Sequence, residues 1–292
     1  PQSQSEEAIA ASLVTFLRLL SDEGYAPEPL NLVDTGAVPD DASAVIIAGA
    51  RARLSDGELA VLTKYLEQGG RLLYFAEAQA ESGLEPLLAQ YGVQVEPGIV
   101  ADARVNPRQP YIVYTPFFSE HEITRALKAQ QFNVIFATTR ALTVLREGTL
   151  DGLSTEPLVT TTPYAWADLN PGEDPQLDSD ERAGQLALAV AVSRPVQGEH
   201  RRADETRLVV FGDSDLLAGT LGHPANLNLV FNTLAWTTQQ IQKITIRPPD
   251  RDISTFNLTP SQAELIRLLA IDVLPTLLLA VGLSIWLTRR AR

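Results

Sequence analysis

The 292 residues carry 36 acidic against 23 basic side chains, a formal net charge of −13, with 45% of positions hydrophobic and 20% charged. That apolar share supplies a core for one large domain or two modest ones, and the charge argues against a nucleic-acid surface, since any basic patch would work against the field of the whole molecule. Cysteine is absent, which removes disulfides, thiolate metal ligands and a cysteine nucleophile; methionine is absent too and the first residue is Pro1, so a processed or partial form of a longer chain is expected.

Apolar residues at Ile9, Leu13, Phe16, Leu17 and Leu20 recur at helical spacing, which predicts a helix over 6–20 that Gly24 ends. A strand is expected at 30–33. After the Pro39-Asp40-Asp41 turn, Ala44–Gly49 is a continuous apolar run rich in β-branched residues, as in a strand buried on both faces. Ser55 with Glu58 three positions on is a capping-box pattern, and Leu59, Leu62, Tyr65 and Leu66 give the helix behind it an apolar stripe. Gly69-Gly70 closes that helix and 71–75 returns as a strand. A second cycle places a helix at 83–91, a stop at Gly92 and a short strand at 93–95, and this alternation predicts a right-handed parallel layer.

From 101 to 162 the pattern changes to short β-like runs at 111–114, 133–136, 142–145 and 158–160 around a brief helix at 120–128, read as strands added to the sheet or a small subdomain. Residues 167–182 hold Asp168, Glu173, Asp174, Asp178, Asp180 and Glu181 with two prolines and a glycine, and are expected to form a polar surface loop. Strands at 185–193 and 206–211, a helix at 226–238 and a further strand at 243–247 complete the folded part. The fold class is α/β, an open, mostly parallel, flavodoxin-like sheet with added strands. Residues 1–100 form its first layer, 101–247 continue it, 248–259 are a proline-containing linker, and 260–292 form a C-terminal helix.

Within that helix, 268–287 are dominated by Leu, Ala, Val and Ile, enough to cross a hydrocarbon core of about 30 Å at ~1.5 Å per residue. Arg289, Arg290 and Arg292 follow, which places this end in the cytoplasm and the main domain outside it. Asp272 is the one ionisable residue in the span, and Pro275 one turn later kinks it. Both are costly in a plain anchor and suit a helix contact with another membrane subunit.

The run Gly212-Asp213-Ser214-Asp215 follows a buried strand, where open α/β sheets bind ligands. Asp213, Ser214 and Asp215, with Asn226 and Asn232 nearby, are therefore the candidate ligand or partner residues, although both asparagines equally suit bracing their helix. The sequence is not a G-x-S-x-G elbow, and His223 has no special claim to serve Ser214 as a base. A membrane-tethered hydrolase using Ser214 is accordingly a minor alternative to a turn stabilised by Asp and Ser side chains. Two carboxylates supply too few oxygens for a divalent cation. His121 and His200 lack zinc-site spacing, and no phosphate-binding glycine motif is present. No catalytic residue, metal or cofactor is expected.

The order Leu208–Asp215, then Asn226–Trp236, then Ile244-Thr245-Ile246-Arg247-Pro248, then Leu258–Gln262 and a terminal apolar helix with an Arg-Arg end resembles the GldG-like, gliding-motility-type auxiliary proteins of ABC transporters. The N-terminal half fits through Ala44–Gly49, the Glu58 helix and Gly69–Leu73. The resemblance implies a glutamine-amidotransferase-like fold without its catalytic cysteine. It also implies a non-catalytic, extracytoplasmic auxiliary subunit in a bacterial inner membrane, binding a partner, polymer or solute. Its implied neighbours are a multi-pass permease, a separate ATPase chain, other subunits of a membrane complex and the lipid bilayer, and two membrane anchors are implied in the complete protein. A structural scaffold within a larger membrane complex is the alternative.

Overall fold

The computed structural model describes residues 6–244 except 79, 146–149, 173–174 and 200, with residues 6–11 and 241 as backbone, and adds Pro275 and Trp286. The chain divides into two compact units, Pro1–Arg247 and Pro248–Arg292.

The first unit opens with helix α1 (Glu6–Asp22) and a single-turn helix α2 (Leu32–Thr35). The second stands where a strand was expected. Asn31 caps it by accepting the Val33 N–H at 3.1 Å, and Gly36 closes it in the left-handed conformation at φ 62°. In so short a run, a side chain that bonds the backbone two positions on outweighs the β preference of its neighbours.

Strand β1 (Val45–Ala48), helix α3 (Asp56–Glu67) and strand β2 (Arg71–Phe75) form the expected parallel unit, with Val45 through Ala48 in register with Leu72 through Phe75. The capping box is complete: Ser55 Oγ accepts the Glu58 N–H at 3.3 Å, and Glu58 Oε2 accepts the Ser55 N–H at 2.8 Å. There follow α4 (Glu85–Gln90), β3 (Val93–Val95), β4 (Ile99–Ala101), β5 (Ile112–Thr115), β6 (Phe117–Phe118), α5 (Arg125–Ala129), β7 (Val134–Ala137), β8 (Leu142–Val144) and β9 (Ser154–Thr160). Strands β10 (Trp166–Asp168), β11 (Arg182–Ala183), β12 (Ala187–Pro195) and β13 (Glu205–Phe211) lead to helix α6 (Pro224–Thr237).

The main sheet runs β1-β2-β13-β12-β8-β3, with β9 also on β12 and β6 on β9. The expectation of a mostly parallel sheet is corrected here. Among the described residues only β1–β2 and β2–β13 pair in parallel, while β12 meets β13, β9 and β8 antiparallel, as do β3–β8 and β6–β9. The connection from β12 to β13 is too short for a crossover helix, so those strands can only return antiparallel. The hydrophobic pattern does not carry this distinction, because β12 is buried from Ala187 through Val192 whichever way its neighbours run.

Alternate residues of the central strands feed two cores. Leu72, Tyr74, Leu208 and Val210 point to a cluster with Leu62, Tyr65 and Leu66 of α3 and Leu87 and Leu88 of α4. Leu73, Phe75, Val209 and Phe211 point the other way, onto Leu229, Phe231, Leu234 and Trp236 of α6 and Phe16 and Leu20 of α1. The sheet is therefore the middle of three layers, and each face removes large apolar side chains from water at about 1.5–3 kcal/mol apiece.

Two small sheets flank it, β11-β10-β4 and β5-β7. The segment expected as a polar loop thus begins and ends in strands, and Asp168 is buried, its Oδ2 accepting the Tyr111 hydroxyl at 2.6 Å. At the expected last strand of the unit, Ile241–Lys243 is a 3-10 turn, and 245–247 lie outside the described residues.

In the second unit Pro275 and Trp286 are helical and exposed. Asp272 and the rest of the span at 268–287 lie outside the described residues, among which no helix is long and apolar enough to cross a membrane.

Candidate functional site

Parallel register brings three chain segments to one place. Ala48 pairs with Phe75, and Phe75 with Phe211, whose rings stack 4.7 Å apart and within 5° of parallel. The ladder extends one step further through the Gly49 N–H to Phe75 O and the Ala76 N–H to Phe211 O, both at 2.9 Å. The segments then separate, and Glu77 and Asp213, each two residues past its strand, stand at the same carboxyl end.

Ser214 Oγ donates to Glu77 Oε2 at 3.0 Å, and Arg51 Nε lies 3.6 Å from the same oxygen. The Arg51 side chain is 55% exposed, so this pair contributes little beyond orientation. Gly49 passes over the cluster at φ 61°, where a Cβ would stand 3.0 Å from both Ser214 Oγ and Glu77 Oε2. Any side chain here would meet both the left-handed backbone and the two polar groups.

Asp213 is 2% exposed, and both its oxygens are engaged: Oδ2 accepts the Ala137 N–H and Oδ1 the Asp215 N–H, each at 2.7 Å. Burial, with Asp215 beside it, pushes this carboxyl well above the ordinary range despite those two bonds. Asp215 is raised as well, by burial first and then by Glu77. Its Oδ2 accepts a long bond, 3.4 Å, from Thr138 Oγ1. Thr138 is a β-branched residue at φ 57°, a conformation costing about 1–3 kcal/mol that the surroundings impose.

Both aspartates thus resist ionisation in the folded chain. Their favourable contribution is present below the unfolded value and is lost as pH rises through the elevated folded values. Asp215→Asn is therefore expected to melt above wild type at about pH 8, with the difference closing by about pH 4. Parallel melting curves across that range would refute the raised titration.

Asp213, Ser214 and Asp215 thus come together with Glu77, Arg51 and Thr138, which were not among the expected residues. Asn226 and Asn232 stand apart and fully buried. Asn226 Oδ1 accepts the Ile135 N–H at 2.9 Å, while its Nδ2 donates to Ile135 O at 2.7 Å and to Thr220 Oγ1 at 2.8 Å. The side chain acts as one more strand residue along the open edge of β7. Asn232 Nδ2 donates to Ile123 O at 3.3 Å. Both asparagines brace the fold. Among the described residues no three His, Cys, Asp or Glu are arranged to hold a metal ion. His121 packs edge-on to Trp236, and His223 precedes α6, so neither is a base bonded to Ser214.

The crevice between these strand ends thus presents the half-buried Ser214 hydroxyl and the Glu77 and Asp215 carboxyl groups beside the exposed Arg51 guanidinium, groups able to hydrogen-bond a polar ligand.

A family profile described as an ABC-type uncharacterized transport system matches residues 3–236. No curated protein matches the sequence. Among solved structures the chain is similar to the mmIFT52 N-terminal domain, at 17% identity and a TM-score of 0.50, covering 77% of this chain and 89% of that one. It is also similar to a thuA-like protein from Bacteroides uniformis, at 15% identity and a TM-score of 0.44 over 80% of this chain and 87% of the other. The first likeness bears on the fold alone.

Proposed function

Because the chain belongs to the ABC-type uncharacterized transport system family, an auxiliary family of ABC transport, we propose that it is a non-catalytic, GldG-like auxiliary subunit held beside a permease. The family match over residues 3–236 carries this reading. Within it, the α/β unit is extracytoplasmic, the apolar span at 268–287 crosses the inner membrane, and Arg289, Arg290 and Arg292 face the cytoplasm. Asp272 and Pro275 then serve a contact with a neighbouring membrane helix. ATP hydrolysis belongs to another chain, since this sequence has no phosphate-binding loop. The crevice at Glu77, Asp213, Ser214 and Asp215 is the place for a solute, polymer or partner group, at the strand ends where open sheets bind ligands.

Purification of the full-length protein from native membranes in a mild detergent is expected to recover a multi-pass permease and an ATPase. Recovering a membrane complex with neither would favour the scaffold alternative and sink the transport role. Ser214→Ala should co-purify the same partners, and its growth or transport should match that of Glu77→Ala, which loses the same bond in the crevice. Loss of function in Ser214→Ala with partners retained, while Glu77→Ala stays active, would instead favour the hydrolase alternative.

A further inference from the structure

The loop from β4 to β5 is an exposed connector held by a buried acid. Asp102 is fully buried, and its N–H donates to Pro110 O at 2.8 Å, closing the loop. Its Oδ1 accepts the Val105 N–H at 3.1 Å and its Oδ2 the Thr162 hydroxyl at 2.6 Å. Asn106 adds a bond from Nδ2 to Ile112 O at 3.3 Å. Burying a carboxylate is costly unless its bonds are satisfied, and here they are spent on fixing a compact surface loop of the kind that often carries function.

That loop presents Arg104, Val105 and Arg108 to solvent. The Arg104 guanidinium lies 3.9 Å from the ring centre of Tyr164, itself 57% exposed. From Ala103 to Ser119 the chain has these two arginines and no acidic residue, within a molecule of net charge −13. Among the described residues neither arginine pairs with a carboxylate.

We propose that the face formed by Arg104, Val105, Arg108 and Tyr164 docks an acidic segment of a partner protein. A guanidinium stacked on an aromatic ring keeps its in-plane N–H groups free to hold a carboxylate through two bonds. Arginine and tyrosine are the residues most often responsible for interface affinity, and a loop already fixed by Asp102 loses little freedom on binding. The net charge of −13 disfavours an acidic partner over the molecule as a whole, so a stretch free of acidic residues is the favoured place for it. Two arginines are too few to neutralise a run of phosphates, so nucleic acid is a poor occupant. The face is separate from the crevice and does not depend on it.

The test uses the whole chain and a fluorescent glutamate-rich peptide carrying two leucines, followed by anisotropy. Saturable binding is expected, weakening with salt, about tenfold weaker in the Arg104→Glu/Arg108→Glu variant and about threefold weaker in Tyr164→Ala. Melting temperatures of these variants should match wild type. Arg125→Glu/Arg201→Glu, placed elsewhere on the surface, should bind as wild type. Absence of saturable binding, or equal loss in that control pair, overturns the proposal. So does tighter binding to phosphatidylglycerol vesicles with the same dependence on Arg104 and Arg108, which assigns the face to lipid.

Discussion

Gly212→Ala is expected to lower the melting temperature by roughly 6–12 °C, corresponding to about 3 kcal/mol in a domain of this size. A Cβ at Gly212 would stand 2.0 Å from Arg140 O and 2.8 Å from Thr139 Oγ1. The strands cannot part to admit it, because the Arg140 N–H donates to Gly212 O at 2.7 Å and the Gly212 N–H to Leu188 O at 2.9 Å. Arg140 is itself fixed, 7% exposed, with Nε on Glu96 O at 2.8 Å and Nη1 on Ala80 O at 3.1 Å. Total stability of such a domain is about 5–15 kcal/mol, so this one methyl group removes a large share of it. Calorimetry on the purified variant measures the shift, and a drop below about 2 °C would mean that the Thr139-Arg140 segment yields more readily than its bonds indicate.

Asn226→Leu is expected to cost about 2–5 kcal/mol, although it nearly conserves volume. The substitution leaves the Ile135 N–H and C=O without their partner and removes the bond to Thr220. Each buried backbone group so orphaned costs about 1–3 kcal/mol. Asn226→Asp should be no milder at neutral pH, since it keeps the acceptor, loses both donated bonds and buries a charge. Urea titration gives the free energy, and hydrogen exchange at the Ile135 amide locates it. An exchange rate equal to wild type would show that water or a neighbour has taken over the edge.

Much of the first unit was legible because its signals are local. The Ser55–Glu58 box and the apolar runs of β1, β2, β12 and β13 required no knowledge of neighbours. Strand direction is not local, and the expectation of a mostly parallel sheet fails at β12, where the short connection to β13 excludes a crossover. The site was half legible for a related reason. Asp213 to Asp215 stand out in the sequence as a turn after a strand, whereas Glu77 carries no such mark. Yet Arg71-Leu72-Leu73-Tyr74-Phe75-Ala76-Glu77 and Arg207-Leu208-Val209-Val210-Phe211-Gly212-Asp213 share one pattern, and the structure pairs them residue for residue from Arg71 and Arg207 to Phe75 and Phe211. Two strands so alike in sequence, laid side by side in parallel, carry their acids to the same end. Asn226 could be placed on its helix by pattern, but its partner Ile135 lies 91 residues away, a distance across which periodicity carries no information.

Asp213 answers to two masters. One oxygen closes the turn that displays Ser214 and Asp215, and the other grips Ala137 at the end of β7. The β5–β7 ribbon is therefore tied to this turn through Asp213, with Asn226 on Ile135 and the Thr115 hydroxyl on Thr160 O as further ties. A change at the Asp213 carboxylate therefore acts on the Asp215 turn and on Ala137 together, at the end of a ribbon that also carries the exposed ring of Tyr114.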